Sequence, residues 1–144
     1  MGSDVQNDWA VIELASNVNA EPYLVNPNAE VPAGGKISLA AASHHNFHPG
    51  VFPPAIEKDC DVPDSDPSHR TFKTNCSSGQ GSSGGAFFAE EENRLYLKAV
   101  VSRTMLDPDY DYHLYSKFVN FTEGVQVKGE FYETLLEATQ ARSR

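Results

Sequence analysis

A glycine-rich turn around Ser83 contains the residues best suited to chemistry. Ser83 lies within residues 79–85, GQGSSGG, and an apolar segment follows. Because glycine permits tight bends, such a turn can expose a serine hydroxyl and direct several backbone N–H groups at one position. Acyl transfer requires a nucleophile beside N–H donors of this kind. The turn therefore predicts a nucleophile at Ser83, and the alternative is a glycine–serine loop without chemistry.

Three motifs overlap in this turn. Residues 79–84 fit the G-x-G-x-x-G pattern of dinucleotide sites, and residues 81–85 fit both the G-x-S-x-G elbow of α/β-hydrolases and the G-x-S-G-G bend of trypsin-like proteases. The first two motifs require a helix directly after the turn. Gly84 and Gly85 disfavour a helix, and the following residues resemble strand. The third interpretation is therefore favoured.

The elements that position this turn are mostly short strands. A strand-like apolar segment covers residues 8–14, and a proline-rich connection covers 17–35. Alternation and β-propensity predict strands at 36–42, 69–74, 86–88, 94–102 and 117–121, with loops at 43–54 and 59–68. Residues 127–141 place Phe131, Leu135 and Thr139 on one stripe, which predicts an amphipathic helix.

Length and charge limit the functions open to this chain. Its 144 residues suffice for one domain with a core. The net charge of −9 argues against a nucleic-acid or anionic-membrane partner, because neither attracts an acidic surface. No apolar run approaches the 18 residues that suggest a membrane span, and the first residues lack a signal-peptide pattern.

The two cysteines, Cys60 and Cys76, flank a loop beside the serine turn. This position suits a disulfide and therefore an extracytoplasmic setting. The alternative is a pair of free buried thiols.

No metal or cofactor is expected. His44 and His48 have a spacing that two metal ligands on one helix face can use, but nearby prolines disfavour a helix. Residues 107–111 resemble the start of a calcium loop, yet Tyr112 and Phe118 stand where an EF-hand needs glycine and glutamate.

Two segments together carry a family resemblance. The segment DWAVIEL at residues 8–14 precedes the turn GSSGG at 81–85 by about 75 residues, with several strands between them and a helix at the end. This arrangement resembles the second half of a chymotrypsin/trypsin-like serine protease, most closely the bacterial trypsin-like and glutamyl endopeptidase branch. The resemblance implies a mostly β fold: the second antiparallel β-barrel of a two-barrel protease, with a C-terminal α-helix. Residues 1–35 would be the tail of the first barrel and the connection, and residues 36–144 the C-terminal barrel.

The resemblance also implies roles for individual residues. Ser83 would be the nucleophile, Asp8 would orient the catalytic histidine, and the N–H groups of Gly81 and Ser83 would form the oxyanion hole. A polypeptide would be the substrate, and its specificity pocket would be lined by Ser77, Gln80, Val101 and Ser102. Relatives that prefer cationic side chains have an acidic pocket floor, which Ser77 does not provide. Relatives that prefer glutamate carry a histidine where Val101 stands. The resemblance therefore indicates neither a cationic nor a glutamate preference.

The catalytic histidine of this family precedes the aspartate, whereas every histidine here follows Asp8. The five are His44, His45, His48, His69 and His113. The chain is therefore expected to be a fragment that is inactive alone, and its partner would be the missing N-terminal barrel that carries the histidine. Two alternatives remain open: a non-catalytic binding module on the same fold, and a small α/β-hydrolase.

Overall fold

Eight strands form one curled sheet in the computed structural model, which describes residues 5–26, 30–42, 54–78, 81–105 and 121–141. A 3₁₀ turn at Val5–Asn7 precedes the sheet and helix α1 at Glu130–Ala141 follows it. The strands are β1 Leu24–Val25, β2 Lys36–Ala42, β3 Pro54–Asp61, β4 Asp64–Asp66, β5 Thr71–Thr74, β6 Ala86–Glu91, β7 Arg94–Met105 and β8 Phe121–Gln126.

The sheet is almost entirely antiparallel. Its strand order is β3-β2-β6-β7-β8-β5-β4, and β1 pairs in parallel with β7 outside this path. The sheet curls into a half-barrel with one C-terminal helix, so the expected mostly β fold is confirmed at this level. The predicted strand at 36–42, the hairpin of β6 and β7, and the strand that ends at Thr74 all form.

A buried hydrophobic cluster joins β2, β5, β6 and β7. Ile37 and Leu39 of β2 are buried together with Phe72 of β5 and Phe87 of β6. The two phenylalanine rings meet edge to face at 5.0 Å. Gly124 of β8 lies directly beneath them, and a Cβ there would approach a Phe72 ring atom to 2.6 Å. The crossing of the rings therefore requires glycine on β8.

The prediction of a strand at residues 8–14 is wrong. No backbone pairing joins this segment to the described part of the sheet. Trp9 and Val11 pack against the cluster that includes Val125 and Phe131, whereas Ile12 and Leu14 are exposed. The alternation arises because Trp9 and Val11 pack on one side of the segment. It does not require a neighbouring strand.

The prediction of a loop at residues 59–68 is also wrong in part. β3 continues to Asp61 and β4 occupies Asp64–Asp66, each at an edge of the sheet. Acidic residues and proline are tolerated at such edges because one side of the backbone faces water. The predicted loop at 43–54 and strand at 117–121 fall almost wholly outside the described residues.

The C-terminal helix begins at Glu130, three residues later than predicted. Gly129 precedes it with a φ of 55°, and the N–H of Glu133 donates to the Gly129 carbonyl. Phe131 anchors the helix by stacking on Trp9, with ring centroids 4.7 Å apart. In the part of the chain that the structure describes, no helix is long and apolar enough to cross a membrane.

Candidate active site

Ser83 lies exposed at the tip of a tight turn. The turn depends on Gly81 and Gly84, whose φ angles of 90° and 77° lie in the left-handed region that other residues rarely adopt. Strand β6 begins at Ala86, directly after the turn. The helix required by the dinucleotide motif and by the α/β-hydrolase elbow is therefore not formed, and the α/β-hydrolase alternative lacks its structural basis.

Hydrogen bonds from two neighbouring strands hold this turn. The N–H of Gly84 donates to the carbonyl of Val101 on β7, and the N–H of Val101 donates to the carbonyl of Gly85, each at 2.9 Å. The buried Ser82 hydroxyl donates to the carbonyl of Ala42 at the end of β2 at 2.7 Å. Of the two adjacent serines, Ser82 therefore anchors the turn and Ser83 faces solvent.

The N–H groups of Gly81 and Ser83 remain open to a ligand. Neither donates to any acceptor among the described residues. Backbone N–H groups at a glycine turn can stabilise an oxyanion when they are not already hydrogen-bonded. The two predicted oxyanion donors are thus available, and the tight turn fixes their positions relative to the Ser83 hydroxyl.

Asp8 is joined to the strand that holds the serine turn. The Ser102 hydroxyl donates to Asp8 Oδ2 at 2.6 Å. Ser102 follows Val101, which binds the turn through its backbone. The structure therefore brings Asp8 and Ser83 to the same short stretch of β7, although 75 positions separate them in the sequence.

A β-bulge places the Ser102 hydroxyl. On β7, Val101 pairs with Gly124 and Arg103 pairs with Glu123, so Ser102 is an extra residue without its own partner on β8. A bulge of this kind turns a side chain away from the regular alternation, and bulges often occur beside active sites. No local sequence signal marks this bulge, and sequence reasoning missed it.

The 3₁₀ turn and an aromatic stack hold Asp8 in place. The Asp8 N–H donates to the carbonyl of Val5 at 3.0 Å. The next residue, Trp9, stacks on Phe131 of α1 with an angle of 5° between the ring planes. The carboxylate is exposed, and its second oxygen, Oδ1, has no hydrogen-bond partner in the described ranges. It can therefore accept one further donor.

The predicted pocket residues have different environments. Ser77 is exposed, and its N–H donates to Glu57 Oε2 at 2.7 Å. Val101 is buried, and Ser102 is bound to Asp8. Gln80 lies outside the described residues. Val101 and Ser102 thus lie beside the serine turn, and Ser77 lies on the segment that leads into it.

A chain of buried hydroxyls fixes that leading segment. Thr122 Oγ1 donates to the Cys76 carbonyl at 2.7 Å, and the Ser78 hydroxyl contacts both Thr122 Oγ1 and Thr104 Oγ1. Since the Thr122 proton points to a carbonyl, Ser78 donates to Thr122 and Thr104 donates to Ser78. Sequence reasoning missed this network because its members come from three separate segments.

The predicted disulfide between Cys60 and Cys76 is confirmed. Their sulfurs are 2.02 Å apart and their Cα atoms 5.3 Å apart. One ligand atom from each cysteine and from Glu57 lies within a 4.8 Å cluster, but the bonded sulfurs offer no thiolate to a metal. A disulfide is typical of extracytoplasmic proteins and is weakly consistent with the expected location.

The described histidine, His69, belongs to a different turn. Its Nδ1 lies 2.7 Å from Asp66 Oδ2 and 3.1 Å from the Ser68 hydroxyl, which itself donates to Asp66 Oδ1 at 2.6 Å. Hydrogen bonds from Ser68 and His69 lower the pKa of Asp66 to about 2. This turn lies at the start of β5, whereas Cys76 and the serine turn follow its end. The other four histidines lie outside the described residues.

The 66–70 turn contains the three residue types of a catalytic triad, Asp66, Ser68 and His69, but they do not have the geometry of a triad. An ionised carboxylate only accepts hydrogen bonds, so Nδ1 carries a proton and the Ser68 proton points to Asp66. In a triad, the serine instead donates to Nε2 of the imidazole. The Ser68 hydroxyl is therefore not activated, and the cluster closes a turn.

Comparisons with known proteins give no relative for this chain. It matches no protein-family model, and neither the curated proteins nor the solved structures contain a match. The interpretation of the site therefore depends on the contacts of Ser83, Asp8 and Ser102 themselves.

Proposed function

We propose that this chain is the nucleophile-bearing half of a trypsin-like serine endopeptidase. Peptide bonds would be hydrolysed through an acyl-enzyme on Ser83. The observation that carries this proposal is the Ser102–Asp8 hydrogen bond, because it joins a carboxylate to the same stretch of β7 that holds the serine turn. A nucleophile and an orienting carboxylate are two of the three parts of a serine protease triad.

The remaining part is a histidine whose imidazole would lie in space between the Asp8 carboxylate and the Ser83 hydroxyl. Asp8 Oδ1 would accept the Nδ1–H of this imidazole, and Nε2 would take the proton of Ser83 as its oxygen attacks the substrate carbonyl. The N–H groups of Gly81 and Ser83 would stabilise the resulting oxyanion. The imidazolium would then protonate the leaving amine, and water would release the acyl group by the same steps.

An N-terminal barrel is the proposed source of that histidine. The segment after Asp8 turns Trp9 and Val11 inward, and leaves Ile12 80% exposed together with Leu14 and Val18. Exposed apolar side chains on one segment favour contact with another domain. A partner strand beside residues 10–14 would cover them, supply backbone hydrogen bonds and bring its own residues near Asp8. Such an enzyme would be secreted, consistent with the disulfide.

Labelling with a fluorophosphonate tests this function. The full-length parent should be labelled at Ser83, while the present chain should react slowly and gain reactivity when imidazole is added. Ser83→Ala should abolish labelling, whereas Ser16→Ala, a matched change in another exposed bend, should leave it unchanged. Equal labelling of the Ser83→Ala variant and the native chain would exclude Ser83 as the nucleophile.

A binding module on the same fold is the second candidate. The observation in its favour is that His69, the histidine within the described residues, is held by Asp66 at the start of β5 and not beside Ser83. This candidate predicts no labelling of Ser83 in the parent protein, with or without imidazole. Rapid labelling of the present chain without imidazole would instead show that one of its own histidines serves as the base.

A further inference from the structure

A cleft separate from the serine turn lies where the 66–70 turn meets residues 30–33 and 126–128. It has a volume of about 200 Å³ and is lined by residues from three parts of the chain, among them Val31, Pro67, Arg70, Gln126 and Lys128. Drug-sized ligands occupy cavities of roughly 300–1,000 Å³, so this cleft suits a smaller molecule. It lies at the start of β5, while the serine turn follows the end of that strand.

Gln126 presents an unsatisfied donor in this cleft. Its side chain lines the cleft, and the residue is only 3% exposed. The N–H of Val31 donates to Gln126 Oε1 at 3.3 Å, which fixes the orientation of the amide because a backbone N–H cannot accept. Within the described ranges no group accepts from Nε2. A buried amide N–H without an acceptor is unfavourable, so an acceptor on a ligand would stabilise the site.

Arg70 supplies a positive charge to the same cleft. No carboxylate in the described part of the chain pairs with its guanidinium, and nearby Asp66 is bound to Ser68 and His69 instead. The guanidinium lies over Gly129, where a Cβ would approach Nη1 to 2.2 Å. Gly129 directly precedes helix α1, whose first turn carries Glu130 and Glu133, so the positive charge at this place comes from Arg70 and not from the helix start.

The backbone fixes Arg70 relative to Gln126. The Gln126 N–H donates to the Arg70 carbonyl at 2.8 Å. Arg70 itself has a φ of 56°, so the chain turns sharply there before β5 begins. The guanidinium and the side-chain amide therefore extend from two residues that are hydrogen-bonded to each other, which limits the variation in their spacing.

The other groups around the cleft decide the class of anion. Lys128 Nζ is paired with Glu30 Oε1 at 3.0 Å, so Lys128 is largely neutralised and Glu30 brings a negative charge. A dianion would be repelled by Glu30, whereas a monoanion would not be repelled as strongly. Val31, Pro32 and Pro67 provide apolar surface for a carbon group. Arginine binds carboxylates through two parallel N–H bonds.

We propose that this cleft binds a small monocarboxylate. The two carboxylate oxygens of the ligand would accept hydrogen bonds from the Arg70 guanidinium and from Gln126 Nε2. The carbon group of the ligand would contact Val31 and Pro67. The site is separate from the serine turn, so its occupancy does not depend on the proposed peptidase activity. The carboxylate could belong to a free acid or to the C-terminus of a peptide, since both offer the same group.

An NMR titration of the full 144-residue chain tests this site. N-acetyl-L-alanine is the probe, and its carboxamide is the uncharged control. The carboxylate should produce saturable shifts of the Gln126 side-chain amide and of Arg70 Nε–H, and the carboxamide should not. Arg70→Gln should weaken binding by about tenfold or more. Arg94→Gln, which removes an exposed arginine on the β6–β7 hairpin, should leave it unchanged.

Several results would overturn the proposal. They are equal shifts with the carboxamide, equal weakening by Arg70→Gln and Arg94→Gln, and tighter binding of inorganic phosphate than of the carboxylate. If Arg70→Gln loses the dispersed spectrum of a folded chain, Arg70→Lys replaces it, because lysine keeps the charge and loses the planar pair of donors. Unchanged affinity in a folded Arg70→Lys variant would also count against the proposal. The glycyl-glycyl-alanine tripeptide then distinguishes a peptide terminus from a free acid as the preferred source.

Discussion

Two exposed turns differ in how their polar side chains are used. The turn at residues 66–70 contains an aspartate, a serine and a histidine within four positions, and these three side chains hydrogen-bond to one another. The turn at residues 81–85 contributes a single exposed serine, and its carboxylate partner comes from Asp8 through Ser102. The first turn is complete in itself, whereas the second leaves N–H groups and one carboxylate oxygen open. The proposed function therefore assigns reactivity to the turn with open groups, although the 66–70 turn contains more of the residue types of a catalytic site.

The largest expected difference between the turns is in the rate of hydrolysis. If the proposed protease is correct, Asp8→Asn in the full-length parent should reduce kcat by about 10⁴-fold, because an amide cannot hold the imidazole in the required tautomer. Asp66→Asn should leave kcat unchanged, since its turn lies away from Ser83. Peptide hydrolysis by the purified variants measures both effects. A similar loss in the two variants would mean that the distinction between the turns is wrong.

The two turns also differ in their relation to the disulfide. The bond between Cys60 and Cys76 encloses the 66–70 turn, and Cys76 leads directly into the serine turn. Replacing both cysteines with alanine should lower the free energy of unfolding by about 3 kcal/mol, because the unfolded chain loses the constraint of a closed loop of this length. Chemical denaturation of the variant and of the native chain gives the difference.

A control follows from reduction of the native chain. Reduction should produce a similar loss of stability without changing any side chain volume. If the double alanine variant is much less stable than the reduced chain, packing around Cys76, and not the covalent bond, is the main contribution of this pair.

Local patterns in the sequence predicted much of the fold. The strand at 36–42, the β6–β7 hairpin and the C-terminal helix form within a few residues of the expected bounds because their hydrophobic periodicity is strong. The cysteine pair was also predicted, from its position beside a loop. The strand expected at 8–14 fails because periodicity reports which side chains are buried and does not show whether a pairing strand exists.

Features that depend on register could not be predicted. The bulge at Ser102 arises from the pairing of β7 with β8, and this bulge joins the Ser102 hydroxyl to Asp8. The cleft at Arg70 and Gln126 likewise depends on the pairing of the start of β5 with the end of β8. Such pairings are set by contacts between distant segments, so a local window contains no signal for them.

The smallest expected difference concerns the response to acid. Hydrogen bonds from Ser68 and His69 lower the pKa of Asp66 from 3.8 to about 2. Since the folded state binds this proton less readily than the unfolded state, the stabilisation is fully present above pH 3.8 and disappears as the pH falls towards 2. The native chain should therefore exceed Asp66→Asn in Tm near neutral pH and lose that advantage in acid.

Thermal unfolding of both proteins at several pH values between 2 and 6 measures this convergence. The effect should be small, because exposed ion pairs and hydrogen bonds contribute little in water. Asp8→Asn serves as the matched control, since it removes an exposed carboxylate that also accepts a serine hydroxyl, but in a turn without a neighbouring histidine. Identical pH curves for Asp66→Asn and the native chain would show that the hydrogen bonds of the 66–70 turn do not persist in solution, and the contrast between the two turns would then lose its physical basis.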